Sequence, residues 1–215
     1  MYMKKIGVLG SGIVGQTLAS GFLKHGYEVM IGSRDTAKLA EWLENNPENS
    51  HLGSFEDTAA FAEIIVLAVK GTAVEAVLEQ SGEGNLNGKI IIDATNPIAD
   101  APPVNGVLQF FTDQNSSLME KLQGLYPKAN FVKAFNSVSF LRMVNPDFEV
   151  RPTMFICGND GDAKKEVSKI LDQFGWEVED FGAASSAGPI EGLCQLYCII
   201  GLNENRWTQA FKLLQ

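Results

Sequence analysis

A glycine run near the start of the chain, Gly10-Ser11-Gly12-Ile13-Val14-Gly15, carries the clearest chemistry in the sequence. Its first glycine permits a tight turn where a β-carbon would clash. The second lets the backbone approach a pyrophosphate, and the third lets a helix lie close against the preceding strand. A helix that begins at such a turn offers phosphate oxygens its free N–H groups and the positive end of its dipole. The chemistry implied is dinucleotide binding, with all six residues as candidate contacts.

Further on, Gly32-Ser33-Arg34 and Lys38 bear on which dinucleotide. Enzymes that prefer NAD place Asp or Glu roughly twenty residues past the glycines, where it accepts from the ribose 2′-hydroxyl. Ser33 and Arg34 stand there instead, with Lys38 one helical turn later. A hydroxyl, a guanidinium fork and an ammonium suit a 2′-phosphate. Asp35 dissents, but its commoner role is N-cap of a helix beginning near Thr36. The expected cofactor is NADP(H).

The elements needed to position these residues are legible. Lys5-Ile6-Gly7-Val8-Leu9 reads as a buried parallel strand, and Val14, Leu18 and Phe22 recur on one face of a helix that Gly26 caps. Glu28–Ile31 is the second strand. A helix through Leu39, Trp42 and Leu43 and a polar loop at 45–50 follow, with Ser54-Phe55 as a short third strand and a short helix over 59–62. Ile64–Val69 and Ile90–Ala94 read as strands buried on both faces, with a helix through Val74, Val77 and Leu78 between them. A helix at 118–122 leads to the strand Asn130–Phe135. Strands at 153–157 and 177–181 flank a helix at 163–174, and a last helix runs from about Pro189 to the end, with a break near Gly201 as one reading.

Strand–helix alternation from end to end predicts a Rossmann-like, doubly wound α/β fold with a mostly parallel sheet. We expect residues 1–137 to form the nucleotide-binding part. Residues 138–215 then form a smaller C-terminal α/β extension packed on the same sheet.

Ligands of open α/β sheets bind beyond the carboxyl ends of the strands. With phosphates at the first two ends, the nicotinamide is expected over Val69-Lys70-Gly71, Thr95-Asn96-Pro97 and Ala134-Phe135-Asn136. Asn96 and Asn136 are candidates to bond its carboxamide or ribose. Lys70 and Lys133 are the candidate proton donors, with Lys133 facing away from Ala134. No Ser–His–Asp set is evident, so no catalytic residue is assigned. Hydride transfer between two conjugated rings asks for little beyond alignment.

Composition narrows the partners. The 215 residues are 45% hydrophobic and 20% charged, and the net charge of −9 argues against a nucleic-acid partner. No apolar run reaches the roughly eighteen residues of a membrane span. The three cysteines, Cys157, Cys194 and Cys198, read as buried reduced thiols, without a second ligand pair for a metal, and point to the cytoplasm. Residues 98–117, irregular but holding Val107, Leu108, Phe110 and Phe111, read as a sheet-end cap, a substrate lid or the contact of a homodimer.

Taken together, Gly10–Gly15, Gly32-Ser33-Arg34, Asp93-Ala94-Thr95-Asn96-Pro97, Val132–Asn136 and Cys157-Gly158-Asn159-Asp160 resemble the deazaflavin (coenzyme F420)-dependent NADP oxidoreductases. The cytoplasmic domains of six-transmembrane metalloreductases share the pattern, and the resemblance runs from about residue 4 to the C-terminus. It implies NADP contacts at Gly10 to Gly15, Ser33, Arg34, Lys38, Val69, Asn96 and Ala134. Two residues depart from it. Lys70 stands where deazaflavin-linked members tend to have proline, and Asn136 where they tend to have histidine.

The function expected is NADP(H)-dependent hydride transfer to or from a flavin, deazaflavin or similar small acceptor. A β-hydroxyacid or imine reductase is the second enzymatic reading, although such enzymes add a long helical domain. An NADPH-binding sensor without turnover is the reading from another class.

Overall fold

Period-two alternation in the apolar strands explains the layering. In Ile64–Leu67, Ile64 and Val66 join one hydrophobic cluster while Ile65 and Leu67 join another, so both faces of the strand need a helical cover. The structure, a computed structural model, describes residues 3–214. In chain order the first half comprises β1 (Lys5–Leu9), α1 (Ile13–Lys24), β2 (Glu28–Gly32), α2 (Ala40–Asn45), β3 (Ser50–Gly53), α3 (Phe55–Phe61), β4 (Ile64–Leu67), α4 (Val74–Ser81), α5 (Glu83–Leu86) and β5 (Ile90–Asp93). The second half comprises α6 (Leu118–Leu125), β6 (Asn130–Lys133), β7 (Thr153–Ile156), α7 (Gly161–Gln173), β8 (Glu177–Asp180) and α8 (Ala187–Glu204).

Six strands form one parallel sheet in the order β3-β2-β1-β4-β5-β6. The order reverses between β1 and β4, and that switch point opens the crevice in which such sheets bind ligands. One face is covered by α1 and α7, through Leu18, Phe22, Val167, Ile170 and Phe174. The other is covered by α3, α4, α6 and the start of α8, through Phe55, Val77, Leu118, Met119 and Ile190. The fold is the expected Rossmann-like one. No helix among the described residues is long and apolar enough to cross a membrane.

The C-terminal part builds its own parallel pair, β7-β8. It meets the main sheet through one antiparallel bridge, Lys133 to Cys157, in which Lys133 N–H donates to Cys157 O at 3.0 Å. α7 shares the α1 cluster, so the two parts bury one continuous apolar layer.

Two elements differ from the sequence reading. The third strand is Ser50–Gly53, not Ser54-Phe55, because Ser54 caps α3: its hydroxyl accepts from Asp57 N–H in a reciprocal capping box. The last helix stops at Glu204 rather than running to the end, and Gly201 lies within it unbroken. Asn205 takes a left-handed conformation (φ 51°) and turns the chain back. Trp207 then lies on Gly201, Tyr197 Oη donates to Trp207 O at 2.6 Å, and Thr153 N–H donates to Phe211 O at 2.9 Å. The tail is thereby held against α8 and β7.

Residues 98–117 are irregular, as expected, and carry the bridges Ile98–Phe110 and Val104–Val107. The segment is tied to α8 where Gln195 Nε2 donates to Leu108 O at 2.8 Å. Val104, Val107 and Phe111 remain exposed on it.

Candidate functional site

The glycine turn is held by geometry that only glycine satisfies. Gly10 sits at φ 130°, and a β-carbon there would overlap the Ala68 carbonyl at the end of β4. A β-carbon on Gly15 would overlap Gly10 O, so α1 can rest on the turn only without one. Gly12 is different: a β-carbon there would meet nothing within 4 Å. It is the N-cap of α1, with no side-chain cap, so the first N–H groups of that helix are not satisfied from within it. Gly12 therefore faces open space beside uncommitted donors, the fit that a pyrophosphate needs.

That space is a cavity of about 800 Å³ at the carboxyl ends of β1, β2 and β4. Of the residues singled out in the sequence, Gly10, Ser11, Gly12, Ile13 and Val14 line its first wall. Ser33, Arg34 and Lys38 line the end beyond β2, and Val69 and Lys70 the end beyond β4. A second cavity of about 410 Å³ adjoins it, sharing Val69, Lys70 and Ala94 and adding Asn96 and Asp100. Gly15, Ala134 and Asn136 line neither cavity.

At the β2 end, Arg34 is exposed and has no hydrogen-bond or ion-pair partner among the described residues. Lys38 is 77% exposed and pairs loosely with Asp35 at 3.4 Å. Asp35 is the cap expected of it, accepting from Ala37 N–H at 3.2 Å, although the turn it opens (Thr36–Leu39) is 3₁₀ rather than α. Ser33 lines the cavity with its hydroxyl already engaged. It is only 9% exposed, and its Oγ accepts from Asp35 N–H at 3.1 Å while lying 3.1 Å from Ser11 Oγ. The hydroxyl braces the two loops against each other before any ligand arrives. Free cationic reach belongs to Arg34 and Lys38.

Of the two asparagines, Asn136 departs from expectation. Asn96 Nδ2 donates to Asn136 O at 2.8 Å, and Asn136 Nδ2 donates to Asn96 Oδ1 at 3.2 Å and to Ile190 O at 2.9 Å. Asn96 still borders the second cavity, but Asn136 is 4% exposed and faces α8. The cause is Phe135, which holds φ 65° and turns the chain back after β6. Ala134 is fully buried one residue earlier.

Lys133 is no proton donor to the cavity. It is fully buried and stands opposite Asp93 in the β5–β6 register. Its Nζ lies 2.7 Å from Asp93 Oδ2, 2.8 Å from Glu191 Oε1 and 3.0 Å from Thr95 O. Burial pulls the ammonium down, but the two carboxylates outweigh it and hold the group above the ordinary lysine range. Asp93 Oδ1 accepts from Thr95 N–H at 2.9 Å and from Thr95 Oγ1 at 2.6 Å. Glu191 accepts from the N–H groups of Leu118 and Met119, both at 3.1 Å, at the start of α6. This triad ties β5, β6, α6 and α8 together behind the strand ends. Sequence reasoning missed it, although a carboxylate closing Ile90-Ile91-Ile92-Asp93 was a signal: a charge in a buried strand needs a partner.

The three cysteines are free. Burial pushes the Cys157 thiol up to about 12, against the pull of Lys133. Cys194 and Cys198 lie one helical turn apart with Sγ atoms at 3.9 Å. Their mutual hydrogen bond raises Cys194 and lowers Cys198, with burial adding to the first shift and opposing the second.

Residues 5–97 match the family described as NADP oxidoreductase, coenzyme F420-dependent. A crystal structure of a candidate F420-dependent NADP reductase from Arthrobacter sp. FB24 superposes over 100% of both chains, with a TM-score of 0.92 and 33% identity. The F420-dependent NADP reductase of Methanocaldococcus jannaschii is 28% identical over 210 residues, covering 93% of this chain and 92% of that one. Metalloreductase STEAP3 of Rattus norvegicus is 27% identical over 189 residues, 88% of this chain but 36% of the relative. The chain thus spans about a third of the length of the metalloreductases it matches.

Proposed function

The chain belongs to the coenzyme F420-dependent NADP oxidoreductase family, and on that premise we propose that it moves hydride between NADP(H) and a flavin, deazaflavin or similar conjugated acceptor. The observation that carries the reading is the pair of adjoining cavities. The larger has an uncapped helix start at one wall and unpaired Arg34 with Lys38 at one end; the smaller meets it at the β4 and β5 ends.

Backbone N–H groups of the first turn of α1 receive the pyrophosphate, with Gly12 giving it room. Arg34 and Lys38 take the 2′-phosphate, and Ser33 holds the loop that presents them. When bound, the nicotinamide supplies or accepts the hydride. Val69 and Ala94, common to both cavities, give the junction an apolar floor. The Lys133–Asp93–Glu191 triad holds the β5 and β6 ends in place.

No side chain on this floor is a firmly held acid. A conjugated ring takes hydride without a dedicated donor, whereas a carbonyl needs a proton for its developing alkoxide, a contribution of roughly 10²–10⁴-fold when a general acid supplies it. Lys133, the one lysine of β6, is locked in its triad. These features favour a ring acceptor over the imine or hydroxyacid reading. The free cysteines suit a reducing compartment, and we assign the chain to the cytoplasm.

Stopped-flow mixing of NADPH-loaded protein with flavin, deazaflavin and carbonyl acceptors, followed at the nicotinamide band, tests the reading. Ring acceptors should be the fastest, and Lys70→Ala should slow the transfer step by less than about tenfold. A carbonyl compound as best acceptor, with a thousandfold-scale loss in Lys70→Ala, would replace this reading by the reductase one.

A further inference from the structure

Lys70 occupies a position that the proposed reaction does not use. It lines both cavities at the point where they join, on the loop leaving β4. Its side chain is exposed and has no hydrogen-bond or ion-pair partner among the described residues. The backbone that carries it is fixed. A β-carbon on Gly71 would overlap the Asn96 carbonyl, so the β4 and β5 loops touch at this residue, and Ala73 N–H donates to Lys70 O at 2.9 Å. A loop held this closely places its lysine at the rim of the smaller cavity.

The rest of that cavity is short and nearly neutral. Gly71, Ala94, Ala99 and Ala101 give it room for a flat ring, and about 410 Å³ lies within the range of small-ligand pockets. Its other charged wall is Asp100, on the far loop. An anionic substituent would be repelled from Asp100 and drawn to Lys70. The whole chain carries a net charge of −9, so an unpaired ammonium here is a local exception.

We propose that Lys70 is a specificity residue: it receives the phosphate or carboxylate on the tail of the ring acceptor and makes the protein prefer anionic acceptors to neutral ones of the same ring. This rests on the hydride-transfer reading above, and extends it to the charge of the second substrate. The lysine acts on binding and not on the transfer step.

Flavin mononucleotide and riboflavin share one ring and differ by a phosphate, so they isolate the effect. Binding of each to NADP⁺-loaded protein by fluorescence titration, and KM and kcat for each with NADPH, should be measured for the wild type, Lys70→Gln and Lys70→Arg. The wild type should favour flavin mononucleotide. Lys70→Gln should raise its Kd and KM about tenfold, the low end of a charge-assisted bond, with kcat and all riboflavin values unchanged. Lys70→Arg should retain the preference.

Equal affinity of the wild type for the two flavins, or equal losses for both in Lys70→Gln, would overturn the proposal. So would a loss confined to NADPH affinity, which would assign Lys70 to the cofactor. Failure of the underlying reading looks different: flavin mononucleotide would bind more tightly through Lys70, yet NADPH would not be oxidised by either flavin.

Discussion

At the residue scale, a side chain's worth here depends on whether anything else already holds it. Gly12 has nothing beside its missing β-carbon, so Gly12→Val should fold normally and lose NADPH binding. Thermal melting and a nucleotide titration check this together: an unchanged midpoint with no detectable binding is expected, and wild-type affinity would remove the pyrophosphate assignment. Lys133 is the opposite case, closed in by Asp93, Glu191 and Thr95. Lys133→Met leaves two buried carboxylates uncompensated and should cost roughly 3–5 kcal/mol in urea unfolding. Because its pKa is raised in the folded chain, the stability it contributes is fully present below the ordinary value of 10.5 and is lost as pH rises through the raised one. Urea midpoints measured upward from neutrality should show no loss from this group until pH exceeds 10.5. A loss traced to Lys133 near neutrality would contradict the triad.

At the element scale, what the sequence disclosed was local. The Gly10–Gly15 spacing, the Val14-Leu18-Phe22 face and the Asp35 cap depend on neighbours a few residues away, and each is found in place. Ser54-Phe55 reads as a short strand, because an N-cap followed by an aromatic residue looks like one until Asp57 completes the capping box. Glu191 was not legible, since its partners Lys133, Leu118 and Met119 come from β6 and α6, far away in the chain. Nor was the turning role of Phe135, whose left-handed backbone no propensity favours. A break near Gly201 is one reading of the sequence, but Gly201 lies inside α8 as the seat of Trp207. Gly201→Ala should keep α8 helical while displacing the tail. Hydrogen exchange should then rise over 205–214, and unchanged protection would show that the tail is held by other contacts. Replacing Cys194 and Cys198 by Ser should leave NADPH oxidation intact, since neither lines either cavity; stoichiometric metal in the purified protein, lost with the thiols, would contradict that.

At the scale of the whole molecule, charge is distributed against its own average. An acidic chain with a net charge of −9 gathers Arg34, Lys38 and Lys70 around one cavity. A cation without a built-in partner is available to a ligand, and Arg34 has none among the described residues. Exposed charges are screened by salt, so affinity for NADPH should fall with ionic strength more steeply than affinity for NADH, and parallel slopes would argue against 2′-phosphate recognition. Whether this cavity recognises NADP(H) is decided by dissociation constants for NADPH and NADH in the wild type and in Arg34→Ala. A clear preference for NADPH is expected, with a loss of about ten- to a hundredfold for NADPH alone in the variant and little change for NADH. Equal affinity of the wild type for both nucleotides, or equal losses for both in Arg34→Ala, would contradict it.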